Sequence, residues 1–563
     1  MPMQQPALYG SDEIAKHHKS GLWGERLIVD YFDERAERTP TKAAIVEAHR
    51  THTYGQIKVA TQNLAAGLLD LGVKLGDVVA VQSPNWAELP MLHLAANRIG
   101  AIFLPLSEGF REKELIHLLN KARAKVLFCP AVIKGQNHIE FMQSLKVDIA
   151  LLRHVIPMRE TNANVRRDQI GSFESMAAST NWKQTLGEEG LARMRTTSDA
   201  PSHVMVSSGS TGMPRCSLYS DNNTLVKLVQ QYMQASDVSS SDVAAALAPA
   251  GTGATGYNYP ILAMLLHGGT SVLLEHWSGS DVQAALDLME TNGCTMAVAV
   301  PAQLVMLVHA AKQSKKKVPT LRVITNAGAK LQPQVAEDAE LLFSCKVQVI
   351  YGTSEAGATA MTSIHDPEEK RRNTVGRPLD GQQVKLIDDD GVEVASGTPG
   401  EVCWRGANKS FGFLHDLEST RKVWDDEGWM HSGDLGVFDA DGYLCIVGRK
   451  KDMIIRGGQN INPGAIEQVL LKHPSVHEVA VVGFDDPVLG ERIAACVVSD
   501  DRALQLDTLK SLVLSHGLAA WHQPEMLLLL AELPRNVGGK TDKRALATLA
   551  TARAKSVEAR ATV

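Results

Sequence analysis

Early in the chain a β-rich run, Val78-Val79-Ala80-Val81, is followed by a helix-like segment and then by Ala101-Ile102-Phe103-Leu104. A run, a helix and a second run make a βαβ rhythm, which points to a parallel sheet and an α/β architecture. The rhythm continues. Val204-Met205-Val206 opens into a Gly/Ser-rich loop, and Thr270 to Leu274, Leu321 to Thr325 and Val347 to Tyr351 read as further strands. Several end on small residues, at the strand ends where open α/β sheets place ligands.

A chain of 563 residues is too long for one ordinary core, so two or more domains are expected. After about Thr374 the texture changes to short strands and turns, with Asp388-Asp389-Asp390-Gly391 and Asp439-Ala440-Asp441-Gly442 as hairpin signals. The charged turn Gly448-Arg449-Lys450-Lys451-Asp452 then leads into a compact α+β unit containing a strand over Val479 to Val482 and a helical run over Leu506 to His516. The expected organisation is a large N-terminal domain, 1–449, of parallel-rich α/β sheets that includes a small β-barrel-like subdomain at about 375–449. A short connection at 450–451 joins it to a small C-terminal α+β domain, 452–563, whose final Ala-Thr-Ala-Arg-Ala-Lys stretch reads as a solvated helix or tail.

Composition narrows the function by exclusion. The net charge of -6 is small for this length and Lys and Arg are scattered, so no electrostatic footprint for nucleic acid is present. The seven cysteines include no CxxC pair and read as free buried thiols in a reducing compartment rather than a zinc site. The N-terminal stretch lacks a secretory pattern, and no apolar run approaches the roughly 18 residues of a membrane helix. The cytoplasm is the expected location, with no membrane partner.

Ser207-Ser208-Gly209-Ser210-Thr211-Gly212-Met213-Pro214-Arg215 sets hydroxyls, glycines and one cation directly after a strand. Glycine lets backbone N–H groups approach an anion, Ser and Thr add donors, and Arg215 adds charge, so the loop can wrap polyphosphate. It lacks the Gly-Lys-Ser/Thr ending of a Walker A loop, and taken alone it is better read as a flexible surface turn. Tyr351-Gly352-Thr353-Ser354-Glu355 offers an aromatic face, a hydroxyl and a hard oxygen ligand suited to Mg²⁺. Ser432-Gly433-Asp434-Leu435 carries a carboxylate after a tight turn, Gly448-Arg449 a guanidinium, and Pro534-Arg535-Asn536-Val537-Gly538-Gly539-Lys540 a lysine on a glycine loop.

In this order and spacing the blocks resemble the adenylate-forming superfamily of acyl-CoA synthetases, non-ribosomal peptide adenylation domains and luciferases, over roughly residues 30 to 545. The phosphate-loop signature is followed with Arg215 in place of Lys and Cys216 in place of Gly. The resemblance implies ATP-dependent activation of a small carboxylic acid to acyl-AMP with release of pyrophosphate, then thioesterification, with coenzyme A as the co-substrate. It implies that Ser207, Ser208, Gly209, Ser210, Thr211, Gly212 and Arg215, together with Gly328, Tyr351 and Gly352, hold the nucleotide. Thr211 and Glu355 would serve Mg²⁺, Asp434 and Arg449 the ribose, and Lys540, Glu355 and Ser354 the chemistry. Lys451 is the implied hinge of a mobile C-terminal domain that also carries Gly457-Gly458 and Asn460-Ile461-Asn462-Pro463. The resemblance leaves room for a homodimer.

The acid is read from wall positions carried over from the family: Thr252, Gly253, Tyr257, Ala327, Ile350 and Ala358. Gly253 stands where amino-acid-activating relatives place an aspartate, which disfavours an α-amino acid. Thr252-Gly253 stands where hydroxybenzoate-activating relatives have His-Asn, which disfavours simple hydroxybenzoates. The remaining small and apolar walls point to a fair-sized uncharged acid. Gln82 to Trp86, Phe110 to Leu115 and Ser220 to Leu225 are similar to short- and medium-chain or alicyclic acyl-CoA ligases. A stand-alone adenylating enzyme serving a carrier-protein thiol or an amine is the alternative, and a non-catalytic nucleotide-binding scaffold a third reading.

Overall fold

The computed structural model describes residues 9–133, 135–159, 171–207, 213–277, 282–457, 459–535 and 540–561. The chain divides into two compact units, 1–384 with 404–430, and 385–403 with 431–563.

The first unit contains two large sheets. In the six-stranded one, Val78–Ser83, Ile102–Ser107, Ala124–Pro130, His154–Met158 and Pro201–Ser207 run parallel, and Arg215–Ser220 returns antiparallel along the Pro201–Ser207 edge. Every residue of Val78–Ser83 and Ile102–Ser107 is buried, as expected for parallel strands covered on both faces. The nine-stranded sheet has a parallel centre of Ala43–Val46, Thr270–Leu273, Val243–Ala246, Met296–Ala299, Val323–Ala327 and Lys346–Thr353. The hairpin strand Gly357–Met361 lies antiparallel beside Lys346–Thr353. The expected strand at Leu321 to Thr325 is shifted to Val323–Ala327, because Leu321 N–H closes a turn onto Val318 and in-register pairing with Met296–Ala299 begins only at Val323.

Helices close these sheets by local rules. Tyr54–Asp70 begins on a capping box in which Gln56 N donates to Thr53 Oγ1 at 3.2 Å and Thr53 N donates to Gln56 Oε1 at 2.9 Å. Glu88–Arg98 is buried along its whole length and ends on Arg98, whose guanidinium makes paired bonds of 2.8 and 2.6 Å to Asp33. A buried cation keeps its charge only beside such a partner.

The second unit holds most of the four-stranded sheet of Gln382–Ile387, Gly400–Gly406, Met430–Phe438 and Leu444–Arg449, of which the first three strands run across the division between units and Leu444–Arg449 lies wholly in the second. Its two hairpin turns are organised by carboxylates: Asp388 Oδ1 accepts from Asp390 N and Val392 N, and Asp439 Oδ1 accepts from Asp441 N and Tyr443 N. The C-terminal α+β fold pairs Val476–Asp486 with Gly490–Ser499 and covers them with Pro463–Leu470, Leu506–Ser515 and Lys543–Ala561. Among the described residues no helix is long and apolar enough to cross a membrane.

Arg98 is 3% exposed and Asp33 16%, so Asp33→Asn strands a buried guanidinium. The expected loss is about 3 kcal/mol in urea unfolding, and an unchanged midpoint contradicts the assignment of this pair as structural.

Candidate active site

The first unit gathers most of the expected site at the C-terminal ends of its strands. Ser207 closes Pro201–Ser207, buried, with an Oγ that has no hydrogen-bond partner among the described residues. Arg215 opens the return strand in register with Ser207, and its guanidinium lies 5.0 Å over the Phe413 ring. An unpartnered buried hydroxyl and a cation thus flank Ser208, Gly209, Ser210, Thr211 and Gly212, which lie outside the described residues. Cys216, in the place of the family glycine, is buried and its thiol is pushed up to about 12 by that burial.

Tyr351, Gly352 and Thr353 end the strand Lys346–Thr353, and Ser354 and Glu355 form the turn into Gly357–Met361. The turn is pinned through its main chain. Tyr219 Oη donates to Ser354 O at 2.9 Å, Ser410 Oγ donates to Glu355 O, and Trp404 Nε1 donates to Ala356 O at 3.3 Å. Burial, with the Glu355 charge adding to it, raises the Tyr219 phenol well above its ordinary range, so it stays a donor. Gly352 is the tight point: a Cβ there would stand 2.2 Å from Gly357 O and 2.7 Å from Ala358 Cα. Glu355 and Ser354 are half-buried, with their side chains free of the bonds that fix their carbonyls.

Tyr257, Ala327, Ile350 and Ala358 all fall in one apolar cluster, with Ala327 and Ile350 in register on neighbouring strands. Gly253 has φ +113°, and a Cβ added to it would lie 3.4 Å from Ser354 Oγ, so the Thr252-Gly253 turn and the Ser354 hydroxyl meet. Thr252 ends a short 3-10 turn, Ala250–Thr252. Gly328 follows Ala327 with φ +95°. A small cavity opens beside Gly253, Tyr257, Asn258, His203 and Met205.

Sequence reading passed over its histidines. His93 Nδ1 is 2.8 Å from Tyr257 Oη and its ring stacks on Phe103 at 4.5 Å. Burial lowers its pKa to about 3, so it sits here neutral. Only the apolar setting of a lone histidine between Leu92 and Leu94 marked it.

The second unit carries the rest. Asp434 and Arg449 are partners across adjacent strands, with Arg449 Nε donating to Asp434 Oδ1 at 2.5 Å. The turn before Asp434 is set by Gly433 at φ +68°, by Ser432 Oγ donating to Val402 O at 2.6 Å, and by Gly433 N donating to Glu401 at 3.0 Å. Lys451 is exposed within the 3-10 turn Lys450–Asp452, while Lys450 pairs with Asp389 at 2.8 Å. Lys540 is exposed on a loop closed by an Arg535–Thr541 bridge and by Asp542 N donating to Pro534 O at 2.7 Å. Asn536 to Gly539 and Gly458 lie outside the described residues.

Residues 32–414 match the AMP-binding enzyme family, and residues 465–540 match the AMP-binding enzyme C-terminal domain. The chain belongs to the AMP-binding enzyme family. It is 30% identical to a medium-chain fatty-acid–CoA ligase of Escherichia coli, across 96% of this chain and 93% of that protein. It is 29% identical to a salicyl-AMP ligase / salicyl-S-ArCP synthetase of Mycobacterium tuberculosis, across 96% and 93%. The fold matches that of ATP-bound MatB from Rhodopseudomonas palustris with a TM-score of 0.80 at 23% identity, covering 93% of this chain and 99% of that one. Members of one family with this much coverage share an architecture, and acid and acceptor must be argued from the site.

Gly352→Ala is expected to part the hairpin and weaken AMP binding at least tenfold in calorimetric titration. Gly24→Ala, where an added Cβ meets nothing within 4 Å, serves as the control. Equal affinity in both variants contradicts the role given to Gly352.

Proposed function

We propose that this chain is an AMP-forming acid–thiol ligase: it converts a carboxylic acid and ATP to acyl-AMP and pyrophosphate, then passes the acyl group to coenzyme A. The observation that carries the reading is the pinned Tyr351–Glu355 turn, with Gly253, Ser354 and the apolar wall of Tyr257, Ala327, Ile350 and Ala358 beside it. It sets a stacking face, an ionisable oxygen ligand and an apolar wall side by side.

In the first half-reaction an oxygen of the acid attacks the α-phosphorus, and pyrophosphate leaves with the electron pair of the broken P–O bond. Positioning and charge stabilisation are the protein's contribution. Ser207 and Arg215, with Ser208 to Gly212 between them, hold the phosphates, and the buried Ser207 hydroxyl, which has no partner among the described residues, fits that use. Glu355 and Thr211 are the residues that would hold Mg²⁺, which when bound neutralises phosphate charge. Gly328, Tyr351 and Gly352 receive the adenine side of the nucleotide. Asp434, oriented by Arg449, accepts from ribose hydroxyls, and Lys540 meets the charge that develops at the reacting centre.

In the second half-reaction a thiol sulfur attacks the acyl carbon, AMP departs, and the thiol proton passes to solvent. Lys451 is assigned the hinge between the two half-reactions, since an exposed lysine in a short turn tolerates a change of backbone torsion. Coenzyme A is favoured as acceptor by the Escherichia coli relative and by the motifs shared with short- and medium-chain acyl-CoA ligases. A carrier-protein thiol is the second reading, supported by the Mycobacterium tuberculosis relative.

Pyrophosphate release measured over a panel of carboxylic acids, with and without coenzyme A, tests the assignment. Acyl-CoA product is expected. Trapped acyl hydroxamate without any thioester moves the acceptor to a carrier protein or an amine, and silence on every acid removes the activity. Lys540→Ala is expected to lower acyl-AMP formation by at least 100-fold while transfer from supplied acyl-AMP stays within a few fold. Equal loss of both half-reactions contradicts the role of Lys540.

A further inference from the structure

Among the described residues four cations have their side chains buried: Arg98, Lys227, Arg371 and Lys409. Three have a carboxylate in contact, Asp33, Glu340 and Glu13 respectively. Lys227 has none. It is 2% exposed, no described carboxylate pairs with it, and its ammonium lies 5.7 Å from the centre of the Tyr219 ring. An ammonium held in an apolar interior with no counter-charge is costly, so burial favours loss of its proton until an anion is brought to it.

Its place in the fold says what that is. Lys227 sits in the π-helical turn Val226–Gln231, packed against the π-helical turn Asn258–Leu262 that begins at the cavity. Such turns are rare, and they recur at functional sites. Tyr219 pairs in register with His203 and stacks on it at 5.5 Å, and His203 lines the cavity together with Met205, Tyr257 and Asn258. The other end of Tyr219 holds Ser354. Lys227 therefore lies beside the Tyr219 ring, one ring removed from His203, which lines the cavity. Facing it are His203 and Tyr219, and both are held neutral by burial, so neither supplies an anion.

We propose that Lys227 is a specificity-determining residue of the acid pocket, and that the acid activated here carries a second oxygen anion, a carboxylate or an acidic phenol, at the end remote from the reacting carboxyl. This rests on the adenylation reading above and changes its substrate: the apolar walls alone point to an uncharged tail, and the cation behind them completes a site for a charged one. Burial pushes Lys227 down to about 7, so an arriving anion restores its full charge. An aliphatic tail offers the ammonium nothing and leaves it desolvated. The signal in the sequence was one lysine inside the apolar run Leu225-Val226-Lys227-Leu228-Val229.

The test uses the full chain and matched pairs of acids: an α,ω-dicarboxylic acid against the monoacid of equal length, and a nitro-substituted para-hydroxyaryl alkenoic acid, whose phenol is ionised at neutral pH, against the same acid without the hydroxyl. Acid-dependent pyrophosphate release is measured for the wild type, Lys227→Met and Lys227→Arg. The wild type is expected to favour the anionic member of one pair at least tenfold in kcat/KM, and the pair concerned identifies the group. Lys227→Met is expected to abolish that preference, mainly by raising KM, and to improve the monoacid. Lys227→Arg is expected to retain part of it. Thermal unfolding of Lys227→Met at or above the wild-type midpoint shows that the variant is folded. Preference of the wild type for the uncharged member in both pairs overturns the proposal without needing any variant, as does an unchanged preference in Lys227→Met. No pyrophosphate release from any acid overturns the adenylation reading instead.

Discussion

One hydrogen bond ties the Tyr351–Glu355 turn to its support: Tyr219 Oη to the carbonyl of Ser354 at 2.9 Å. Tyr219 belongs to the return strand of the six-stranded sheet, and Ser354 follows the last parallel strand of the nine-stranded sheet. The bond fixes the end of one sheet against the other. Parallel strands end with their carbonyl ends exposed to whatever lies beyond them, so a turn there needs an external partner to hold one position. Ser410 supplies the second hold at Glu355, and Gly352 allows the hairpin to close tightly enough for both to reach. The placement of Tyr351, Ser354 and Glu355 follows from these three contacts.

Much of this was legible in the sequence, and the reasons are local. The strands Val78–Ser83 and Ile102–Ser107 announce themselves because burial on both faces demands unbroken apolar runs. The hairpin turns were marked by Asp-rich tetrapeptides whose first carboxylate does organise the backbone. Tyr351-Gly352 and Ser432-Gly433-Asp434 stood out because glycine is needed at fixed places beside functional groups. The parts that escaped depend on contacts between segments distant in sequence. Nothing local distinguishes Ser410 from any other serine, and the His93–Tyr257 contact joins residues 164 positions apart. Lys227 is one lysine inside an apolar run, and only the packing shows that among the described residues it is buried without an ion partner.

The electrostatics of the first unit fit a site that works dry. His93 and His203 are held neutral, Tyr219 and Tyr257 are held protonated, and the described cations of the interior are paired apart from Lys227. Charge introduced by substrates into such a setting is felt strongly, because buried neutral groups screen it little. A mixed anhydride is also protected there from hydrolysis. The same dryness accounts for the buried cysteines, which lie in the cores of both units and have their thiols pushed up by burial where a shift is resolved.

The central claim is that this chain forms acyl-AMP before any thiol takes part. Exchange of labelled pyrophosphate into ATP measures that step alone, because only reversal of acyl-AMP formation returns the label to the nucleotide. The account predicts exchange that requires the acid and proceeds without coenzyme A or a carrier protein. Exchange that appears only when the thiol is added, or none with an acid that is turned over to product, contradicts it.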